Sequence, residues 1–199
     1  MCIRDRLLCD LVATGLVEVH GGKSPTLTAV PGAAARAQSH PALAHGVERV
    51  ERKGQPTLYS ALNSRKFAAK EAIAERLIEE GVLDEERAGF LGLKWSRFPE
   101  KDETIEAAMR QRYRDIFRGK AEPRPEEAML IVLLRNTGEL RRQFLEEIEG
   151  IPFDALRVRV HEIDKNVLDA ATYENAEGIN LILDGVARVA AIEEEAASS

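Results

Sequence analysis

The sequence has only two cysteines, Cys2 and Cys9, among its 199 residues. Two thiols cannot build a disulfide framework or complete a cysteine-rich zinc site, so a reducing compartment such as the cytoplasm is expected. Long apolar runs are missing as well. The longest apolar stretches, Met129 to Leu134 and the interrupted run from Ile179 to Ile192, fall far short of the roughly 18 uninterrupted apolar residues that a membrane-spanning helix needs. We therefore expect a cytoplasmic protein that does not cross a membrane.

No recognisable catalytic or metal-binding motif occurs. The four histidines, His20, His40, His45 and His161, are scattered, and none belongs to a His-Glu-x-x-His pattern that would place two ligands on one helical face. Glycine-rich phosphate loops, dinucleotide-binding fingerprints and Gly-x-Ser-x-Gly nucleophile turns are also missing. The sequence thus predicts no catalytic residue, no metal ligand and no cofactor, and it favours binding over catalysis.

Positive charge is limited. The chain carries 28 Lys and Arg against 34 Asp and Glu, a formal net charge of -6, without a long basic run. A broad surface that follows a nucleic-acid backbone is therefore not expected, and any anion site must be local. Hydrophobic residues make up 44% and charged residues 31%, a balance typical of one folded globular domain.

The first six residues, Met-Cys-Ile-Arg-Asp-Arg, correspond to codons that resemble a transposon adapter used to prepare sequencing libraries. We interpret residues 1–6 as an assembly artefact and expect native sequence to start near Leu7. Intact DNA from the locus would then lack these six codons. Such segments do not contribute to the fold prediction.

Apolar periodicity, helix caps and turn residues predict a compact, mainly α-helical domain over residues 7–192 with two β-hairpins. A flexible acidic tail is expected over residues 193–199. The first hairpin spans 16–30 and is followed by a small-residue connector to Ser39. The second hairpin is a projecting hydrophobic arm. The predicted helices cover residues 7–13, 41–53, 64–80, 103–117, 125–147 with a break at Gly138, 153–163 and 170–195.

The helix predicted from the N-cap residue Ser64 to Glu80 carries the most informative local feature. On a helical wheel Lys70 falls between Ile73 and Ala74, inside the apolar stripe, with Lys66 one turn away on the same side. Two ammonium groups four residues apart repel each other, and a bound anion would relieve that repulsion. Alternatively, both lysine stems follow the edge of the core while their charged ends reach water.

A basic residue also interrupts the apolar pattern of the next helix. Arg112 falls within a stripe formed by Ile105, Met109 and Ile116. A charge in such a position is usually paired, so we expect an ion pair between Arg112 and a neighbouring helix.

The arm, residues 90–98, combines the only tryptophan of the chain with other apolar residues: Leu91, Leu93, Trp95 and Phe98. A lone hairpin cannot bury such a set within itself. The arm therefore covers the core of the domain, pairs with another subunit or enters a membrane interface, where tryptophan is well accommodated.

The order of these features resembles the Golgi phosphoprotein 3 family, particularly its bacterial members. The resemblance rests on the "LVEV" hairpin, the long helix ending in "RLIEEGVL", and the arm "FLGLKWSRFPEKDET". It extends from Leu7 to about Ile192, and "EEGVL" followed by "LGLKWSRFPEKD" is its most specific part. This resemblance implies a mainly α-helical domain that sits peripherally on the cytosolic membrane face and binds phosphatidylinositol 4-phosphate through a basic pocket.

The same resemblance implies which residues form the pocket. The family uses a Trp and an Arg upstream of the first hairpin, outside the native part of this sequence, and two Arg on the long helix. Those two positions correspond to Phe67 and Lys70, so only Lys70 keeps a positive charge, with Arg65 and Lys66 nearby. The arm matches the family's hairpin used for oligomer contacts. Anionic membrane lipid, cytosolic tails of membrane proteins and a second copy of the chain are the implied partners.

Two other functions fit parts of the pattern. A helix, "TGLVEV", a glycine-rich turn and "LTAV" also resemble the helix and wing of a winged-helix DNA-binding module, but residues 7–30 contain only Lys23 as a basic residue. A homo-oligomeric structural protein that uses only the arm is the third hypothesis.

Overall fold

The computed structural model describes residues 3–90, 93–99, 101–167 and 175–198, with the backbone alone for residues 87–90, 93–96 and 166–167. The described part is mainly α-helical with two antiparallel hairpins, as predicted. The helices are α1 Ile3–Ala13, α2 Ala33–Ala37, α3 Pro41–Lys53, α4 Leu58–Leu62, α5 Lys70–Glu79, α6 Glu103–Phe117, α7 Pro125–Asn136, α8 Leu140–Gln143, α9 Phe153–Val167 and α10 Ala176–Ala197. The strands are β1 Val17–His20, β2 Thr26–Ala29, β3 Glu86–Phe90 and β4 Leu93–Arg97.

The core is built around α1 and α7, each of which buries several large apolar side chains. Helix α1 packs against α3, α7 and α10, and α7 packs against α9 and α10. Two helical glycines leave no room for a side chain. A Cβ placed on Gly46 would lie 2.6 Å from Leu11 Cδ1, and one on Gly185 would lie 2.9 Å from Leu62 Cδ1. The largest fully buried side chains are Phe67, Leu8, Leu11, Leu27, Leu62, Ile116, Met129, Ile131, Leu133, Ile163, Ile179 and Ile182.

Local signals explain several helix boundaries. Pro41 opens α3 at its first turn, and the Asp102 side chain accepts a hydrogen bond from the Thr104 backbone N–H at the start of α6. Glycines in the left-handed region, Gly54 and Gly119, end these two helices. Helices α3 and α6 therefore match their predicted bounds.

Other predicted boundaries differ. The connector before Ser39 contains the short helix α2, and α4, capped by Thr57, was not predicted at all. Helix α10 continues to Ala197 and so includes most of the predicted acidic tail, while the predicted start of that helix at Ala170 lies outside the described residues. The interpretation of residues 1–6 stays a prediction, although α1 begins at Ile3.

The expected ion pair of Arg112 is present. Its guanidinium contacts both carboxylate oxygens of Glu127, at 3.2 Å and 3.1 Å, and so joins α6 to the first turn of α7. The apolar stripe around Arg112 is only partly buried, however. Ile105 and Met109 are about half exposed, and the buried side of α6 consists of Tyr113, Ile116 and Phe117.

Candidate anion-binding site

The segment that carries the predicted anion site is not one helix. Arg65–Phe67 forms a 3₁₀ turn, Ala68 is extended, and α5 begins only at Lys70. Ser64 makes no side-chain capping bond, so the predicted cap is wrong. The break accommodates the fully buried side chain of Phe67, which anchors the turn in the core. The predicted end of the helix is correct, because α5 ends at Glu79 before Gly81 with φ 75°.

This break changes the relationship between the two lysines. Lys66 lies on the 3₁₀ turn and Lys70 at the first position of α5, so they are not neighbours on one helical face. Lys70 is exposed and is not buried in an apolar stripe. It stands at the positive end of the α5 dipole, where the preceding Ala69 offers no side-chain acceptor to the first N–H groups. Lys70 thus adds positive charge where an anion is already favoured.

Helix α3 supplies a further cation that the sequence analysis missed. The side chain of His45 lies 2.8 Å from the carbonyl oxygen of Lys66, which fixes α3 against the 3₁₀ turn. Arg49 is one helical turn beyond His45, on the side of α3 that also carries the buried Gly46. The Nε atom of Arg49 is buried without a hydrogen-bond partner, and no described carboxylate pairs with its guanidinium. The only sequence signal for this cation was the presence of small residues near Arg49 on the same predicted helix.

Arg65 precedes Lys66 on the 3₁₀ turn but lines a cavity of its own. It lines a surface cavity of about 800 Å³ between Leu62, the loop at Asn136–Glu139 and the last turns of α10, and neither Lys66 nor Lys70 is part of that lining. Glu193 and Glu194 also line this cavity, so its surface contains both charge signs. The structure therefore places Arg65 at this cavity, whose lining does not include Lys66 or Lys70.

The arm stands next to Lys70. Its first strand begins at Glu86, before the predicted start of the arm at Phe90, and the two strands pair with Glu86 opposite Arg97 and Ala88 opposite Trp95. Its base is closed by backbone hydrogen bonds from Asp84 to Pro99 and from Lys101 to Val82. Leu91 lies outside the described residues, as do the side chains of Leu93 and Trp95. Phe98 is half-buried, and its ring centroid lies 6.0 Å from Lys70 Nζ.

Reactive or metal-binding groups do not accompany this site in the described residues. No cluster of three or more histidine, cysteine, aspartate or glutamate side chains has the arrangement of a metal site there. Cys9 is fully buried in α1, and burial raises the pKa of its thiol, which keeps the sulfur protonated and unreactive.

Among the described helices, none combines the length and the apolar composition needed to cross a bilayer. Fold and site together define a mainly helical domain in which Lys70, at the start of α5, lies beside Phe98 at the base of the second hairpin. A family model described as Golgi phosphoprotein 3 (GPP34) matches residues 6–178, and the chain belongs to this family. The comparison with curated proteins gives no match.

Proposed function

We propose that this protein is a peripheral membrane adaptor that binds an anionic lipid head group and catalyses no reaction. The observation that carries the proposal is the concentration of unpaired positive charge at the junction of α3, the 3₁₀ turn and α5. Arg49, Lys66 and Lys70 have no acidic partner among the described residues, whereas Arg112 and Arg135 are ion-paired. Membership of the Golgi phosphoprotein 3 family supports the same role.

The head-group preference follows from the side chains at the site. Phe67, at one of the two positions where the family has an arginine, is fully buried and cannot reach a head group. Lys70 provides a point charge without the two-pronged geometry of a guanidinium. We therefore expect phosphatidylinositol 4-phosphate and other anionic lipids to bind according to their charge, with little discrimination between them.

The arm extends the proposed contact. A hydrophobic hairpin next to the cations could enter the interfacial region of the bilayer, or it could join two copies of the protein on the membrane. We include this homo-oligomer, together with cytosolic tails of membrane proteins, among the proposed partners. Duplex DNA is not among them, because α1, the helix that would precede a wing, is packed in the core between α3, α7 and α10.

Liposome flotation tests the proposal. Vesicles of neutral phosphatidylcholine, of phosphatidylserine and of phosphatidylinositol 4-phosphate, the last two matched in charge density, are compared with wild type and a Lys66→Ala, Lys70→Ala double variant. Each lysine near an anionic surface contributes about 1 kcal/mol, so the double variant should bind about 30-fold more weakly. A Lys23→Ala, Lys120→Ala variant loses the same charge from exposed positions elsewhere and should bind like wild type.

Two results would contradict the proposal. One is equal flotation of wild type with neutral and anionic vesicles. The other is an equal loss of binding in both double variants, because this would mean that net charge matters and the junction of α3 and α5 does not.

A further inference from the structure

A second cavity lies away from the anion site, between the end of α7, α8 and the first half of α9. Its volume is about 630 Å³, and Leu140, Leu156 and Val160 form its buried apolar floor. A cavity of about 490 Å³ adjoins it and shares Arg141, Phe153 and Leu156 with it. Volumes in this range accommodate small organic ligands. Arg49, Lys66 and Lys70 do not line either cavity.

The mouth of the cavity exposes apolar side chains to solvent. Phe153 is 62% exposed and Val158 55% exposed, and Leu145 is 67% exposed at the adjoining cavity. Covering a large apolar side chain is favourable by up to a few kcal/mol. Together with the apolar floor, these residues favour a hydrocarbon occupant.

The charges at the mouth favour an anionic end on that occupant. Arg135 is engaged by Asp164 at 2.7 Å, and Arg157 makes a longer contact, 3.6 Å, with Asp154. Arg141 differs, since no described carboxylate pairs with it and its guanidinium lies 5.6 Å from the centroid of the Phe153 ring. Glu146 and Glu149 line only the adjoining cavity of about 490 Å³. Because these carboxylates would repel an anion, the anionic end should lie in the cavity of about 630 Å³.

We propose that this cavity binds a free single-chain anionic amphiphile, such as a fatty acid. The hydrocarbon chain lies over Leu140, Leu156 and Val160 and beneath Phe153. The carboxylate accepts charge-assisted hydrogen bonds from the guanidinium of Arg141. This site is independent of the lipid head-group site and does not require a membrane.

Calorimetric titration with decanoate and with uncharged decanol, both below their aggregation limits, tests the proposal. Wild type should bind decanoate about tenfold more tightly than decanol, because only the carboxylate pairs with Arg141. Arg141→Gln should remove this difference, and Phe153→Ser should weaken both ligands. Arg142→Gln is the matched control, since Arg142 lies on the same short helix but pairs with Glu139, and it should bind like wild type.

A variant that fills the cavity distinguishes loss of ligand binding from loss of folding. Val158→Trp adds an aromatic ring at an exposed lining position and should block both ligands while leaving thermal unfolding unchanged. Absence of saturable decanoate binding to wild type would overturn the proposal, as would binding that Arg141→Gln, Phe153→Ser and Val158→Trp all leave unaltered.

The membrane proposal and the cavity proposal can fail separately. The Lys66→Ala, Lys70→Ala variant should keep wild-type affinity for decanoate although it loses vesicle binding. Loss of decanoate binding in that variant would place the amphiphile at the head-group site and would overturn the assignment to this cavity.

Discussion

The ammonium nitrogen of Lys70 lies 6.0 Å from the ring centroid of Phe98, so the first residue of α5 faces the residue that follows β4. This contact joins the proposed lipid-binding cation to the base of the arm. The Lys70–Phe98 pair and the backbone hydrogen bonds of Asp84 and Lys101 are therefore contacts that hold the base of the arm. Lys70 and the base of the arm therefore lie side by side.

The first prediction concerns this pair. Cation–π contacts at exposed sites contribute about 0.5–1 kcal/mol, and 6.0 Å is at the limit of their range. A double-mutant cycle with Lys70→Met and Phe98→Leu should therefore give a coupling of about 0.5 kcal/mol in chemical unfolding. The coupling should decline in high salt. A coupling of zero at low salt would mean that the arm is positioned by its backbone hydrogen bonds at Asp84 and Lys101.

The second prediction concerns Arg49. The buried Nε of Arg49 has no hydrogen-bond partner, which costs stability, and under the proposed function its guanidinium contacts the lipid head group. Arg49→Met should leave the free energy of unfolding unchanged or raise it, while it lowers affinity for anionic vesicles severalfold. Arg52→Met is the control, because Arg52 is exposed and pairs with Glu48 on the same helix. Clear destabilisation by Arg49→Met would instead assign Arg49 a structural role.

The third prediction uses the ion pair between α6 and α7. Burial acts to raise the pKa of Glu127, but hydrogen bonds from the Arg112 guanidinium and from the Arg124 backbone N–H outweigh it, and the net effect lowers the pKa. A lowered pKa in the folded state contributes stability at neutral pH. That contribution is lost as the pH falls from the ordinary glutamate value, about 4.3, through the folded value.

The free energy of unfolding, measured between pH 3 and pH 7, tests this contribution of Glu127. Glu127→Gln should lose stability at pH 7 and show a weaker dependence on pH below 5 than wild type. Glu126→Gln, an exposed neighbour with only a 3.8 Å contact to Arg124, should behave like wild type. Parallel curves for wild type and Glu127→Gln would argue against the lowered pKa.

The fourth prediction tests the packing of α1 against α3. An added Cβ at Gly46 would lie 2.6 Å from Cδ1 of the fully buried Leu11, so Gly46→Ala should cost about 1–3 kcal/mol of unfolding free energy. Shortening the opposing side chain creates room. In the background of Leu11→Ala, Gly46→Ala should therefore be nearly neutral. Equal costs in both backgrounds would show that the helices approach elsewhere.

The fifth prediction concerns the arm as an interface. If it joins two copies, Trp95→Ala should lower the mass measured by sedimentation, because tryptophan side chains often dominate interface energies. Arg97→Ala, at an exposed position on the same strand, should keep the wild-type mass. An unchanged mass for Trp95→Ala would contradict a role of the arm in joining two copies and would favour its proposed contact with the membrane.

Much of the secondary structure can be predicted from short stretches of sequence. Pro41 and Gly54 delimit α3, and Asp102 and Gly119 delimit α6, because caps and turn residues act on backbone groups within a few positions. The same local signals failed at Ser64. There the burial of Phe67 outweighs the helix preference of its neighbours and breaks the predicted helix at Ala68.

The sequence by itself determined that this is a mainly helical member of the Golgi phosphoprotein 3 family with a basic segment before a hydrophobic arm. Only the tertiary structure decided which cations lie on neighbouring elements and which of them are free of carboxylate partners. It joined His45 of α3, one turn before Arg49, to the carbonyl of Lys66, placed Arg65 at another cavity and left Arg141 unpaired beside Phe153. The reason is physical: a charge is available for a ligand only if no carboxylate reaches it, and that depends on helices far apart in the chain.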